Sequence, residues 1–60
     1  MKTREMIKLL EADGWKIKNQ EGSHIQLVHK TKKGKVTVPT HTGDIKKKTA
    51  ESILKQAGLK

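Results

Sequence analysis

The chain has no cysteine, no phenylalanine and no tyrosine, and Trp15 is its one aromatic residue among 60. Without cysteine no disulfide can staple the fold, which suits a reducing compartment. With a single ring, expected in the core, recognition of single strands by stacking successive bases on aromatics has little to stand on. Proline occurs once, at Pro39, and six acidic residues face fourteen Lys and Arg. No run is apolar and long enough for a signal peptide or a membrane span, so the chain is read as cytoplasmic. At this length folding removes only about 60% of the unfolded surface, so one domain over residues 1–60 with an economical core is the expectation.

What is present is positive charge. The formal charge is +8 and the isoelectric point is near 10.1. Such a field attracts polyanions and speeds their encounter without specifying a fold. Nucleic acid is therefore the first partner to consider. An anionic membrane surface would call for a basic amphipathic helix, and the basic residues here are spread over strands and turns.

Met6, Ile7, Leu9 and Leu10 recur at helical spacing after Thr3, the N-cap candidate, and the pattern closes at Asp13-Gly14. This predicts a helix over about 3–13. From Trp15 the period changes to two. Trp15 and Ile17 alternate with Lys16 and Lys18, Glu21-Gly22 makes a turn, and Ile25 and Leu27 alternate with His24 and Gln26. A second turn at Thr31-Lys32-Lys33-Gly34 leads to Val36 and Val38, and Pro39 ends that strand because it cannot donate to a ladder. Ala50, Ile53, Leu54 and Ala57 then form a second helical stripe, with Thr49 as cap and Gly58-Leu59 as a Schellman ending. The predicted class is α+β, ordered α-β-β-β-α, with a three-stranded antiparallel sheet and two helices on one face. The expected core is these helical stripes together with Trp15, Ile17, Ile25, Leu27, Val36, Val38 and Leu59.

Strand parity places Trp15, Ile17, Ile25, Leu27, Val36 and Val38 on the face that the helices cover. The opposite face then carries Lys16, Lys18, His24, Gln26, Val28, Lys35 and Thr37. It is polar, basic and centred on a histidine. Imidazole titrates near neutrality and can take or give a proton there. RNA carries its own nucleophile, the 2′-hydroxyl, so a base and some positive charge for the phosphorane suffice without a metal. Ser23 adds a hydroxyl beside His24, but no His/Asp arrangement marks it as a nucleophile. From the pattern alone, an exposed polar strand residue is the plainer reading of His24.

Lys46-Lys47-Lys48 precede the second helix, where free N–H groups and the positive dipole end favour anions. They read equally as a phosphate clamp and as a solvated charge run. Lys30, Lys32, Lys33 and Lys35 cluster around the second turn with the same two readings. His29 has covered-face parity, and His41 in the linker is an auxiliary candidate at most. The histidine spacings match no common zinc pattern, and no metal or other cofactor is expected.

These residues resemble the HicA-type toxins of toxin–antitoxin pairs. The likeness runs from Asp13-Gly14-Trp15 through Gly22-Ser23-His24, with Ile25 and Leu27 following, to Val38-Pro39-Thr40-His41 and Ser52-Ile53-Leu54-Lys55-Gln56-Ala57-Gly58-Leu59. It covers essentially the whole chain. The chain departs from the family's frequent Gly-Thr-Leu at the start of the second helix, having Lys48-Thr49-Ala50, which bears on where that helix begins. The resemblance implies a double-stranded-RNA-binding-domain-like fold and metal-independent mRNA interferase activity with His24 as the catalytic residue. It also implies a HicB-type antitoxin that covers the active site, in a complex that usually represses its own synthesis. RNA contacts are expected from Lys16, Lys18, Ser23, Lys35, Lys46, Lys47 and Lys48. A non-catalytic RNA-binding module, or a domain that mainly binds a protein partner, would share the same element order.

Overall fold

Thr3–Ala12 form α1, with Met6 and Leu10 buried along one stripe. The computed structural model describes residues 1–40 and 43–60. The cap lies one residue earlier than the sequence suggests: Lys2 is the N-cap, and its N–H donates to Glu5 Oε1 at 2.9 Å. Thr3 is already helical, and its hydroxyl donates to the Pro39 carbonyl at 3.1 Å. A tertiary bond has thus taken the group expected to cap the helix. Gly14 follows the C-cap Asp13 at φ 103°, where a glycine is needed, and turns the chain into the sheet.

Strands β1 (Trp15–Glu21), β2 (His24–His29) and β3 (Lys35–Pro39) form an antiparallel meander in the order β1-β2-β3. The first hairpin has a two-residue loop, Gly22-Ser23, with Gly22 at φ 55°. Glycine at the first loop position with positive φ is what a type II′ turn asks for. Its consequence is a fixed pairing of Glu21 with His24. Further along, Ile17 pairs with Leu27 but Asn19 pairs with Gln26, so Lys18 is an extra residue bulged out of the ladder. Beyond the bulge the parity of β1 inverts. Gln20, opposite Ile25, takes the covered-face position, and Asn19 and Glu21 take open-face ones.

Lys47–Gln56 form α2, two residues ahead of the expected start, and Thr49 lies inside the first turn rather than capping it. The ending is the Schellman motif: Leu59 N–H bonds the Leu54 carbonyl at 2.8 Å and Gly58 N–H the Lys55 carbonyl at 3.1 Å. Both helices lie on one face of the sheet, as the double-stranded-RNA-binding-domain-like class requires. Their N-termini point toward the Gly22-Ser23 turn. Among the bonds that fix this end are Thr3 Oγ1 to Pro39 O, Thr40 N to Ser23 O at 2.6 Å, Thr3 N to Gly43 O at 3.3 Å and Ile45 N to Met1 O at 2.6 Å.

The core comprises Met6, Leu10, Trp15, Leu27, Val36, Val38, Ile45, Ala50, Ile53 and Ala57, with Ile7, Ile25 and Leu54 packed partly against it. Three expected members are exposed: Leu9 at 38%, Ile17 at 48% and Leu59 at 36%. Leu9 lies off the Met6–Leu10 stripe, Leu59 follows the last helix's terminal turn, and Ile17 sits on the sheet's edge strand. Ile45, outside the expected core, is buried where the chain runs beside Met1. Among the described residues no helix is long and apolar enough to cross a membrane.

Candidate functional site

His24 is the first residue after the Gly22-Ser23 turn, and its side chain is exposed. The register sets its neighbours on the open face, Glu21 across from it on β1 and Pro39 on β3. No described residue hydrogen-bonds the imidazole, which leaves both ring nitrogens open to a ligand. Ser23 is half-buried, and its carbonyl accepts the Thr40 N–H, so its backbone holds the two hairpins together.

The expected cations divide into two groups. Lys16 and Lys35 flank Val28 in one row of the open face, four residues along β2 from His24 and so about 13 Å away. Lys18 stands between, on the bulge, where it and Asn19 both oppose Gln26. Lys46, Lys47 and Lys48 are instead the N-cap and first two residues of α2, all exposed. They share an end of the fold with His24, not a face.

At that end the first turn of α2 is basic, with Asp44 two residues before its N-cap and 3.9 Å from the N-terminal ammonium. α2 has no side-chain cap and no acid in its first turn. Its first internal bond is Ala50 N–H to the Lys46 carbonyl at 2.8 Å, which leaves the N–H groups of Lys47, Lys48 and Thr49 directed out of the helix end. Helix starts favour acids, so three lysines here add repulsion to the dipole's positive end. An anion placed there would relieve that repulsion.

His29 separates cleanly from this site. His29 pairs with Trp15 on the covered face, and the rings meet edge to face at 5.2 Å. Its Nδ1 accepts the N–H groups of Thr31 and Lys32, each at 3.0 Å. The proton must therefore be on Nε2, which donates to the Asp13 carbonyl at 2.7 Å. His29 is a structural brace that orders the second turn. His41 lies outside the described residues. Among those residues no group of three His, Cys, Asp or Glu is placed to hold a metal ion.

Lys32 also leaves the cationic cluster of the second turn. Its ammonium donates to Asp13 Oδ2 at 2.6 Å and to the Ala57 carbonyl at 2.9 Å. The bond from Lys32, with its charge and a hydrogen bond from Trp15 Nε1, holds the Asp13 carboxyl below its ordinary value, against a partial desolvation that raises it. Sequence patterning passes over two further features. Glu21 as His24's neighbour follows from the two-residue loop once the turn type is recognised. Arg4 and Lys8, one helical turn apart, form a basic edge beside the apolar stripe that dominates the pattern of α1.

The family model described as HicA toxin of bacterial toxin-antitoxin matches residues 3–59. The chain belongs to the HicA toxin family. Among solved structures, a chain of "Toxin-Antitoxin complex from Streptococcus pneumoniae" is similar, at 38% identity over 98% of each chain with a TM-score of 0.85. No curated protein matches. The HicA match spans the Gly22-Ser23-His24 turn and both helices, so the elements that place the histidine lie within the shared fold.

Proposed function

We propose that this HicA-family chain is a metal-independent endoribonuclease that cuts mRNA with His24 and so arrests translation and growth, residues 1–60 acting as a single RNA-binding and nuclease domain in the cytoplasm. One observation carries the reading. The exposed His24 imidazole follows a tight turn at the end of the fold where both helix N-termini and Lys46, Lys47 and Lys48 converge.

His24 acts as general base on the ribose 2′-hydroxyl, taking its proton as the 2′-oxygen attacks the adjacent phosphorus. The 2′-O–P bond forms, the P–O5′ bond breaks, and the 5′-oxygen leaves with a proton from water or from the imidazolium. The products are a 2′,3′-cyclic phosphate and a 5′-hydroxyl. Lys46, Lys47 and Lys48 with the free N–H groups of α2 hold a phosphate and offset its growing negative charge. Lys16, Lys18 and Lys35 extend the basic surface along the open face, and Ser23 offers a hydroxyl next to the imidazole. These lysines contribute mostly salt-dependent, sequence-independent affinity.

The proposed protein partner is a HicB-type antitoxin laid over the His24 end. The relative found as a toxin–antitoxin complex supports it, and binding to the folded state would stabilise so small a domain.

The deciding experiment compares the native chain with His24→Ala on single-stranded message. The side chain is exposed and bonds no described residue, so the variant should melt as the native protein does. Cleavage and growth inhibition should disappear while RNA binding persists. Undiminished cleavage removes His24 from the chemistry, and binding without cleavage by the native chain makes the domain a non-catalytic RNA binder.

A further inference from the structure

A cleft of about 480 Å³ opens beside α1, lined by Lys2, Arg4, Ile7, Lys8, Glu11 and Ile25 among others. We propose that it is a subsite for single-stranded RNA next to the cleaved bond, taking one base and its flanking phosphates and favouring a base that carries an amino group. This rests on the nuclease reading above and adds a second contact surface, apart from α2 and the open sheet face.

The cleft follows from sequence spacing. Arg4, Ile7, Lys8 and Glu11 are i, i+3, i+4 and i+7 of α1, a continuous stripe beside the buried Met6–Leu10 stripe. Ile25 directly follows His24 in β2 and faces the other side of the sheet. The cleft and the imidazole are therefore one residue apart along the same strand end. Among the described residues, a Cβ built on Gly22 at the turn or on Gly43 in the cleft's lining would meet no atom within 4 Å, so neither glycine position is crowded. A strand rounding the hairpin turn reaches both.

The lining matches that occupant. Three cations stand against one carboxylate, which favours a polyanion over an acidic small molecule of single charge. Ile7 and Ile25 offer an apolar floor for a base, and the volume is that of a small-ligand site. Thirteen of the fourteen basic side chains are lysine, and Arg4 is the single arginine. Its planar guanidinium can stack on a base or fork onto a phosphate, which an ammonium cannot do. In a chain whose one aromatic side chain is buried, Arg4 supplies the flat surface that RNA recognition ordinarily takes from rings. Glu11, two turns further along the same stripe, can accept a hydrogen bond from an exocyclic amine, as acidic side chains do from cytosine. Uracil has no such amine.

The test uses the full chain and 2′-O-methyl oligonucleotides, whose capped 2′-oxygens cannot attack, so binding is read apart from cleavage. Arg4→Ala/Lys8→Ala should weaken single-strand binding about tenfold and flatten the slope of log K against log salt by about 0.7 for each phosphate no longer neutralised. Both side chains are exposed, and Trp15 fluorescence checks that the variant melts normally. Glu11→Ala should reduce the preference for oligo(C) over oligo(U). Binding by the double variant within twofold of the native chain, with unchanged melting, overturns the subsite even if His24-dependent cleavage is found. Loss of affinity for an acidic partner protein with RNA affinity intact overturns it too, making the cleft a protein-docking site. Binding that depends on Arg4 and Lys8, by a chain that leaves message uncut, supports the subsite and overturns the nuclease reading instead.

Discussion

The Lys32 ammonium lies 2.6 Å from the Asp13 carboxylate, nineteen residues away in sequence. Lys32 belongs to the turn between β2 and β3, Asp13 caps α1, and the same ammonium bonds the Ala57 carbonyl at the end of α2. One side chain thus ties three elements at the end of the fold opposite His24. The arrangement also suits the dipoles, since a cation beside a helix C-terminus is favourable. Lys32 is thus a structural cation, in contrast with Lys46, Lys47 and Lys48 at the other end, which are exposed at the start of α2.

The Asp13 contact predicts an acid-labile fold. Its carboxyl is held below the ordinary 3.8, so the folded chain binds fewer protons than the unfolded one in that range. The stabilisation is present above 3.8 and is lost as pH falls through the lowered folded value. Thermal melts stepped downward in pH should show the native chain losing stability over this window, while Asp13→Asn is less stable at neutral pH and has a shallower acid limb. Parallel curves for the two proteins would show that Asp13 is not the group responsible.

His29 should matter to stability and not to cleavage. Removing its ring by His29→Ala leaves the Thr31 and Lys32 N–H groups without the acceptor they share and opens space beside Trp15. The cost expected is about 1–3 kcal/mol. Denaturant titration followed by Trp15 fluorescence measures it. Per folded molecule, the rate of RNA cleavage should stay near native, in contrast with His24→Ala.

Gly22 tests whether the turn aims the imidazole. A Cβ there would meet nothing within 4 Å, so Gly22→Ala is strained only by its φ of 55°, at about 1–2 kcal/mol. Stability and cleavage should both fall as the Glu21–His24 pairing loosens. A synthetic chain with D-alanine at this position, which prefers positive φ, should recover both. If D-alanine restores melting but not cleavage, the glycine is needed for close approach of RNA and not for the turn.

Much of the fold is legible in the sequence because local rules and tertiary structure agree. Alternation in β2 and β3 assigns the covered face correctly, and Gly14 and Gly58 mark helix ends that the structure keeps. The departures come where a distant group intervenes. Thr3 reads as a cap until Pro39 offers it an acceptor, and Ile45 belongs to no predicted element yet is buried because Met1 lies alongside it. Ile17 has core parity but sits on an edge strand, and edge position is not written in a period of two. The Lys18 bulge inverts the rest of β1, and nothing in Lys-Asn-Gln announces an extra residue. His24 falls on the open face as its parity predicts because the strand that carries it pairs on both sides. What patterning cannot supply is distance along the sheet: it groups Lys16 and Lys35 with His24 on one face, and the register sets them a strand's length away.

The start of α2 should trade stability against RNA affinity. Lys47 is the first helical residue, exposed and without an acid nearby in that turn, so it opposes the dipole it sits on. Replacing it by an acid reverses that interaction but sets the new carboxylate against Glu51 at i+4, so Lys47→Glu should stabilise the free protein by only about 0.3 kcal/mol, the low end of the dipole effect. If the three lysines are ordinary solvated charges, that gain would come with no loss. If they hold a phosphate, the same substitution places a negative charge against it, weakening RNA binding well beyond the neutral Lys47→Ala and lowering the salt slope. The two measurements, melting of the free protein and RNA affinity across a salt series, should therefore move in opposite directions for one variant. A chain that becomes more stable and binds RNA as before would remove the α2 terminus from the interface. A chain that becomes less stable would show that the lysines already have an intramolecular role.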